Sequence, residues 1–339
     1  MSSTAPILIM SSERSGSNLL RTLLSNHPSI SGPMAPQFLS LVPPLAPDFE
    51  PLDHRDHMVA LVELMLAIAN HRQFSWRLDV DARALVNEHE PRDTLGAFDM
   101  LYRAAQSRDG AQRYVCKENS LFEHAPALME RFPGTRILYL VRDPRDYALS
   151  WEKAPLLNHT PYESACTWRD EQRACFAIEE RFGDAVLRLT YEDLVSDPKA
   201  SMTATLEHVG EEVHEACFQV QAKKNKDQEW SSFWKNLTKP VQSTNHAKYR
   251  TELSPEVLEI IETVCAAEMA AIGYEAETAQ SWRKGLMFSR RERKLAEAND
   301  ARLREEHAET VAVIEDRNRL VQELVAARRE MAADKGAAR

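Results

Sequence analysis

The stretch from Pro6 to Leu24 most narrows what this chain can fold into. An apolar run, Pro6-Ile7-Leu8-Ile9-Met10, leads into the polar loop Glu13-Arg14-Ser15-Gly16-Ser17-Asn18-Leu19. The continuation, Leu19-Leu20-Arg21-Thr22-Leu23-Leu24, carries helical spacing. Strand, tight loop and helix in that order gather free backbone N–H groups and the positive end of a helix dipole around one point. Such a point holds phosphate or a phosphate-like anion. Gly16 lets the backbone approach the anion, Ser15 and Ser17 add hydroxyl donors, and Arg14 adds a fixed positive charge. The loop is not that of a nucleotide triphosphatase, which needs two glycines five apart and then Lys and Ser/Thr to hold magnesium.

A second segment points to the same edge of a sheet. Ile137 to Val141 is a continuous apolar run, the pattern of a strand buried on both faces of a parallel sheet. Arg142 stands where that strand ends, at the edge where open α/β sheets bind ligands. Asp143 reads as an N-cap, Pro144 suits the first helical position, and Ser150 falls about two turns into the helix. Arg113 to Lys117 reads as a further strand, and Leu187 to Leu194 as a strand followed by a helix start. Residues 57–72 and 94–107 have helical spacing, and a last helix of the domain starts at Ser254-Pro255-Glu256 and closes at Gly273-Tyr274. Alternation of this kind predicts an α/β fold, a central parallel sheet flanked by helices in three layers. The proline-rich stretch 28–56 is expected to be irregular and, beside a binding loop, functional.

Together these segments resemble sulfotransferases that use 3′-phosphoadenylyl sulfate (PAPS), over residues 5 to about 276. In that family an Arg/Lys-Ser-Gly-Ser/Thr loop after the first strand holds the 5′-phosphosulfate. The resemblance therefore assigns Arg14, Ser15, Gly16, Ser17, Asn18 and Leu19 to cofactor binding. An Arg ending a strand and a Ser eight residues later hold the 3′-phosphate, a role that falls to Arg142 and Ser150. Thr190-Tyr191-Glu192-Asp193-Leu194 resembles a segment whose Tyr lies near the adenine. Lys239-Pro240-Val241 with Lys248-Tyr249 resembles a late cofactor-covering loop, which brings in Lys248. The implied reaction moves a sulfuryl group from PAPS to a hydroxyl or amine of a carbohydrate, peptide or small metabolite, without a metal.

The proton acceptor is where the chain departs from that pattern. Tyrosylprotein sulfotransferases place a Glu about twenty residues after the loop, and Gly32-Pro33-Met34-Ala35-Pro36 holds no acid. The candidates that remain are Lys117 and Glu118 at the end of the third strand, loosely similar to an acid-Lys-Ser/Thr-Pro segment of glycan sulfotransferases, and His54 or His57. Two other classes stay open. One is a P-loop kinase or nucleotide-binding enzyme using Arg142-Asp143 beside a metal. The other is a degenerate scaffold of the same fold acting through its C-terminal helix.

Charge and cysteine usage limit the partners. The net charge of −10 argues against general nucleic-acid binding. An acidic domain that binds an anionic cofactor must focus positive charge locally, with Arg14, Arg142 and Lys248 as the focus. The five cysteines have no metal-ligand spacing, and no signal peptide or membrane span is visible. The expectation is a soluble, cytoplasmic, bacterial enzyme with reduced thiols.

The chain changes character after Gly285, which suggests a sulfotransferase domain over residues 1–285 and a helical extension over 286–339. Residues 289–334 are dense in Arg, Glu and Ala, and a helix there would extend on the order of 70 Å. Ile314, Val321, Leu324 and Met331 form an apolar stripe, but His307, Thr310, Arg317 and Arg328 interrupt its seven-residue repeat. A solvated single helix and a coiled coil are both open, the second giving a homodimer or a docking site for a partner protein. The extension is expected to be dispensable for cofactor binding.

Overall fold

In a computed structural model of the chain, the described residues are 5–154, 159–220, 241–279, 300 and 302–337, the last seven as backbone only. Five strands are formed: β1 (Ile7–Met10), β2 (Ile30–Ser31), β3 (Arg113–Cys116), β4 (Arg136–Val141) and β5 (Val186–Thr190). They lie in the order β2-β3-β1-β4-β5, every pair parallel. The chain first builds outward on the β3 side of β1 and then crosses to β4. The ligand crevice of such a sheet opens at that reversal, off the carboxyl ends of β1 and β4.

Side chains alternate between two cores, as strand geometry requires. Leu8, Met10, Tyr139 and Val141 face helices Arg55–Asn70, Thr94–Arg108, Pro161–Phe182 and Pro255–Ile272. Ile7, Ile9, Leu138 and Leu140 face helices Ser17–Leu24 and Pro198–Val209. The result is the three-layer α/β arrangement that the alternating pattern predicts. Ile7 to Met10 and Ile137 to Val141 of the central strands are buried, which is why they read as unbroken apolar runs.

Several local signals act as expected. Asp143 caps helix Pro144–Glu152, its Oδ1 accepting from the Arg145 N–H at 2.9 Å, with Pro144 in the first turn. Ser254 caps helix Pro255–Ile272, and Gly273 ends it at φ 105°. The proline-rich stretch is mostly irregular but compact. It contains β2, a short helix Phe38–Leu41 and a 3-10 turn Ala46–Phe49, and buries Met34, Phe38 and Phe49.

The C-terminal helix, Ala308–Ala337, does not stand alone. It lies against helix Arg55–Asn70 and the 3-10 turn Ala46–Phe49. Val325 is buried in the larger core, with Val321 and Leu324 packed against it. Residues 286–299, part of the expected extension, and Lys239-Pro240 of the expected late loop lie outside the described residues. Among the described residues no helix is long and apolar enough to cross a membrane.

Candidate functional site

A cleft of about 460 Å³ opens where the switch in strand order places it. Its floor is the loop after β1. Gly16 is the N-cap of helix Ser17–Leu24 and sits at φ 88°, a conformation that favours glycine. A Cβ there would come 2.6 Å from Cε2 of Tyr191, so the loop and that ring are in direct contact. Arg14 also has positive φ, 62°, a rare state for a residue with a side chain and one found at ligand clamps. The Leu19 N–H donates to the Gly16 carbonyl at 2.8 Å, inside the first helical turn. Of the loop positions assigned from sequence, Leu19 therefore contributes its side chain to the cleft rather than a free donor.

The two arginines meet. Arg14 Nε donates to Ser150 Oγ at 3.2 Å, and Arg142 Nη1 donates to the Arg14 carbonyl at 2.8 Å. The Arg142 guanidinium lies 4.7 Å from the centre of the Tyr191 ring. The Tyr191 hydroxyl accepts from Asn245 Nδ2 at 2.6 Å, which ties the late loop to the cleft. Lys248, exposed at the rim, also lines it. The charge of Arg14 is disfavoured, by burial first and by Arg142 second, so its pKa is lowered. Among the described residues Arg142 has no ion pair with a carboxylate, and its Nε and the Ser15 Oγ are buried with no hydrogen-bond partner. Buried donors left unmade beside two like charges fit an anion, since each such group costs about 1–3 kcal/mol unsatisfied.

Across the cleft Lys117 is 8 % exposed, and its Nζ bonds to Asn119 Oδ1. Asn119 Nδ2 in turn donates to Glu13 Oε1 at 2.7 Å. Burial lowers the Lys117 pKa, with Glu13 and Glu118 opposing. Glu13, Lys117 and Asn119 all line the cleft. Glu13 is the carboxylate that sequence reasoning missed. It stands directly before Arg14, not some twenty residues after the loop where the family pattern places an acid.

The other expected proton acceptors lie elsewhere. Glu118 is 1 % exposed and does not line the cleft; its Oε1 accepts from Tyr102 OH at 3.0 Å. Burial pushes its carboxyl up to about 8. In a strand-end pair, neighbouring residues point to opposite sides, so Lys117 reaches the cleft and Glu118 the core. His54 and His57 pack on each other, ring centres 4.9 Å apart, at the start of helix Arg55–Asn70. His57 Nδ1 lies 2.9 Å from the Glu50 carbonyl, and neither ring lines the cleft.

A family model described as "Sulfotransferase family" matches residues 6–215. Among solved structures, the sulfotransferase domain from the curacin biosynthetic pathway superposes with a TM-score of 0.54 at 17% identity, covering 81% of this chain and 99% of that one. The sulfotransferase domain from the Synechococcus PCC 7002 olefin synthase gives 0.52 at 23% identity, over 78% of this chain and 95% of that one. At such identities the likeness is one of fold. No curated protein matches the chain in sequence.

Proposed function

Because this chain belongs to the sulfotransferase family, we propose that its cleft binds PAPS and passes the sulfuryl group to a hydroxyl or amine. In this reading Arg14 and the loop residues Ser15, Gly16, Ser17 and Asn18 hold the 5′-phosphosulfate, and Arg142 with Ser150 the 3′-phosphate. Tyr191 stands beside the nucleotide and Lys248 covers it from the rim. The observation that carries this is the Arg14–Arg142 contact, with Arg142 Nε and Ser15 Oγ buried and unbonded. Arg142 disfavours the charge of buried Arg14, and an anion bound between them would relieve that repulsion.

When bound, the donor supplies an activated sulfuryl group. What remains for the chain is alignment, a proton acceptor and positive charge for the departing oxygen. Glu13, held by Asn119, takes the proton of the acceptor hydroxyl. Lys117, held by the same Asn119, sets an ammonium beside it, and Arg14 serves both the donor and the charge that develops on it. Helix Ser17–Leu24 directs its dipole at the same point. The five cysteines are free thiols, four of them buried, which supports a reducing, cytoplasmic setting.

Glu13→Gln tests the assignment of the base. It should lower kcat by about 10²–10⁴-fold while the affinity for adenosine 3′,5′-bisphosphate stays unchanged. Unchanged turnover in this variant would remove Glu13 from the reaction. Transfer should also persist in EDTA; a magnesium requirement would place the chain among the kinases.

A further inference from the structure

The cleft has a wall that does not come from the segment matched by the family model. Thr310 and Ile314, from the C-terminal helix, line it together with Met34, Gln37, Gln73 and Phe74. The helix is fastened on both sides of that wall. Arg317 Nη1 donates to Gln37 Oε1 at 2.7 Å. Next to it Asp316 meets His71 at 3.2 Å, and about two turns earlier Glu309 meets Arg72 at 3.3 Å, just before Gln73 and Phe74. Further along, Arg329 pairs with both oxygens of Asp48 at 2.9 Å. The apolar stripe read from the sequence is thus divided. Val321 and Leu324 pack on the chain's own core, and Ile314 is left at the cavity.

We propose that this helix is the closing wall of the acceptor end, and that Ile314 is a specificity-determining residue selecting uncharged hydroxyl compounds with an apolar body. This rests on the reading of the cleft as a sulfuryl-transfer site. Met34, Phe74, Ala154 and Ile314 give this end an apolar lining. Lys117 is held by Asn119, and Lys153 pairs with Glu252. Gln73 is 5 % exposed and its Oε1 is buried with no hydrogen-bond partner, an acceptor atom suited to a hydroxyl donor. A wall fixed by side chains from residues 310 and 314 also explains why the acceptor cannot be read from the region of family resemblance alone.

The test is calorimetric titration of the full-length protein and of Ile314→Trp and Ile314→Ala with phenol and with para-octylphenol. Each titration is run with and without saturating adenosine 3′,5′-bisphosphate. Ile314→Trp should weaken para-octylphenol at least about tenfold by filling the space its chain occupies, and phenol far less. Ile314→Ala should leave phenol unchanged and shift only the longer ligand. Nucleotide affinity should be the same in all three proteins, which also controls for folding. Equal para-octylphenol affinity in parent and variants overturns the proposal, as does failure of the parent to bind either phenol. Failure of the parent to bind the nucleotide instead overturns the donor assignment, while the titrations without nucleotide still decide the role of the helix.

Discussion

Arg142 and Arg145 stand three residues apart on the same strand-to-helix junction and live in opposite circumstances. Arg145 is 3 % exposed and fully answered: Asp143 takes two of its bonds at 2.9 and 2.6 Å, and Glu262 a third at 2.8 Å. Its guanidinium also lies 4.0 Å from the Tyr249 ring. Burial works against its charge, but Asp143 and Glu262 outweigh burial and hold its pKa raised. Arg142 has a carbonyl and an aromatic face, and a buried nitrogen with no partner. The first arginine is part of the architecture: it ties the junction to helix Pro255–Ile272. The second is left with a buried nitrogen that no described residue satisfies. Residue type and spacing do not separate the two; the location of the acids does.

The largest expected effect is on the architectural side. Arg145→Met should cost about 3–5 kcal/mol in urea unfolding, because Asp143 and Glu262 are left buried without their cation. Arg142→Met should cost less than about 1 kcal/mol, since no carboxylate is orphaned. Similar losses for both would dissolve the contrast.

The same contrast holds for the carboxylates Glu118 and Glu13. Burial pushes the Glu118 carboxyl up to about 8 in the folded protein, from an ordinary value near 4.5. A raised carboxyl favours folding in its protonated form. Its contribution is therefore present below about 4.5 and is lost as pH climbs toward about 8. Glu118→Gln, which keeps a partner for Tyr102, should gain stability relative to the parent across that window, on the order of a few kcal/mol, and level off above it. A pH-independent difference in denaturation midpoints would show that Glu118 is ionised in the core. The variant should retain turnover, unlike Glu13→Gln.

A smaller effect is expected at Gly16. Gly16→Ala meets the Tyr191 ring and must hold φ 88°, so a loss of about 1–2 kcal/mol is expected, with a larger proportional loss of nucleotide affinity. Full nucleotide affinity in Gly16→Ala would mean that the ring and loop do not need their present contact.

The contrast also marks what the sequence makes legible. Strands β1 and β4 are visible because double burial leaves unbroken apolar runs, Ile7 to Met10 and Ile137 to Val141, and the capped helix after β4 because Asp143 and Pro144 are local signals. The cleft floor is legible for the same reason: Arg14, Gly16 and Arg142 sit at fixed distances from elements that can be read. Glu13 is hidden by its position, since an acid next to Arg14 looks like a neighbouring ion rather than a cleft carboxylate. The order Lys117-Glu118 does not reveal which residue turns inward, and only the register of β3 decides it. The path of the C-terminal helix depends on contacts such as Arg329 with Asp48, about 280 residues apart in sequence, which no local pattern encodes.

The central claim is that the Arg142 site is built for a 3′-phosphate. Calorimetry on the parent and on Arg142→Ala, each titrated with adenosine 3′,5′-bisphosphate and with 5′-AMP, tests it most directly. The parent should prefer the bisphosphate by about 1.5–3 kcal/mol, the value of a charge-assisted contact, and the variant should bind both nucleotides alike. Equal affinities in the parent, or a preference that survives in Arg142→Ala, would contradict it.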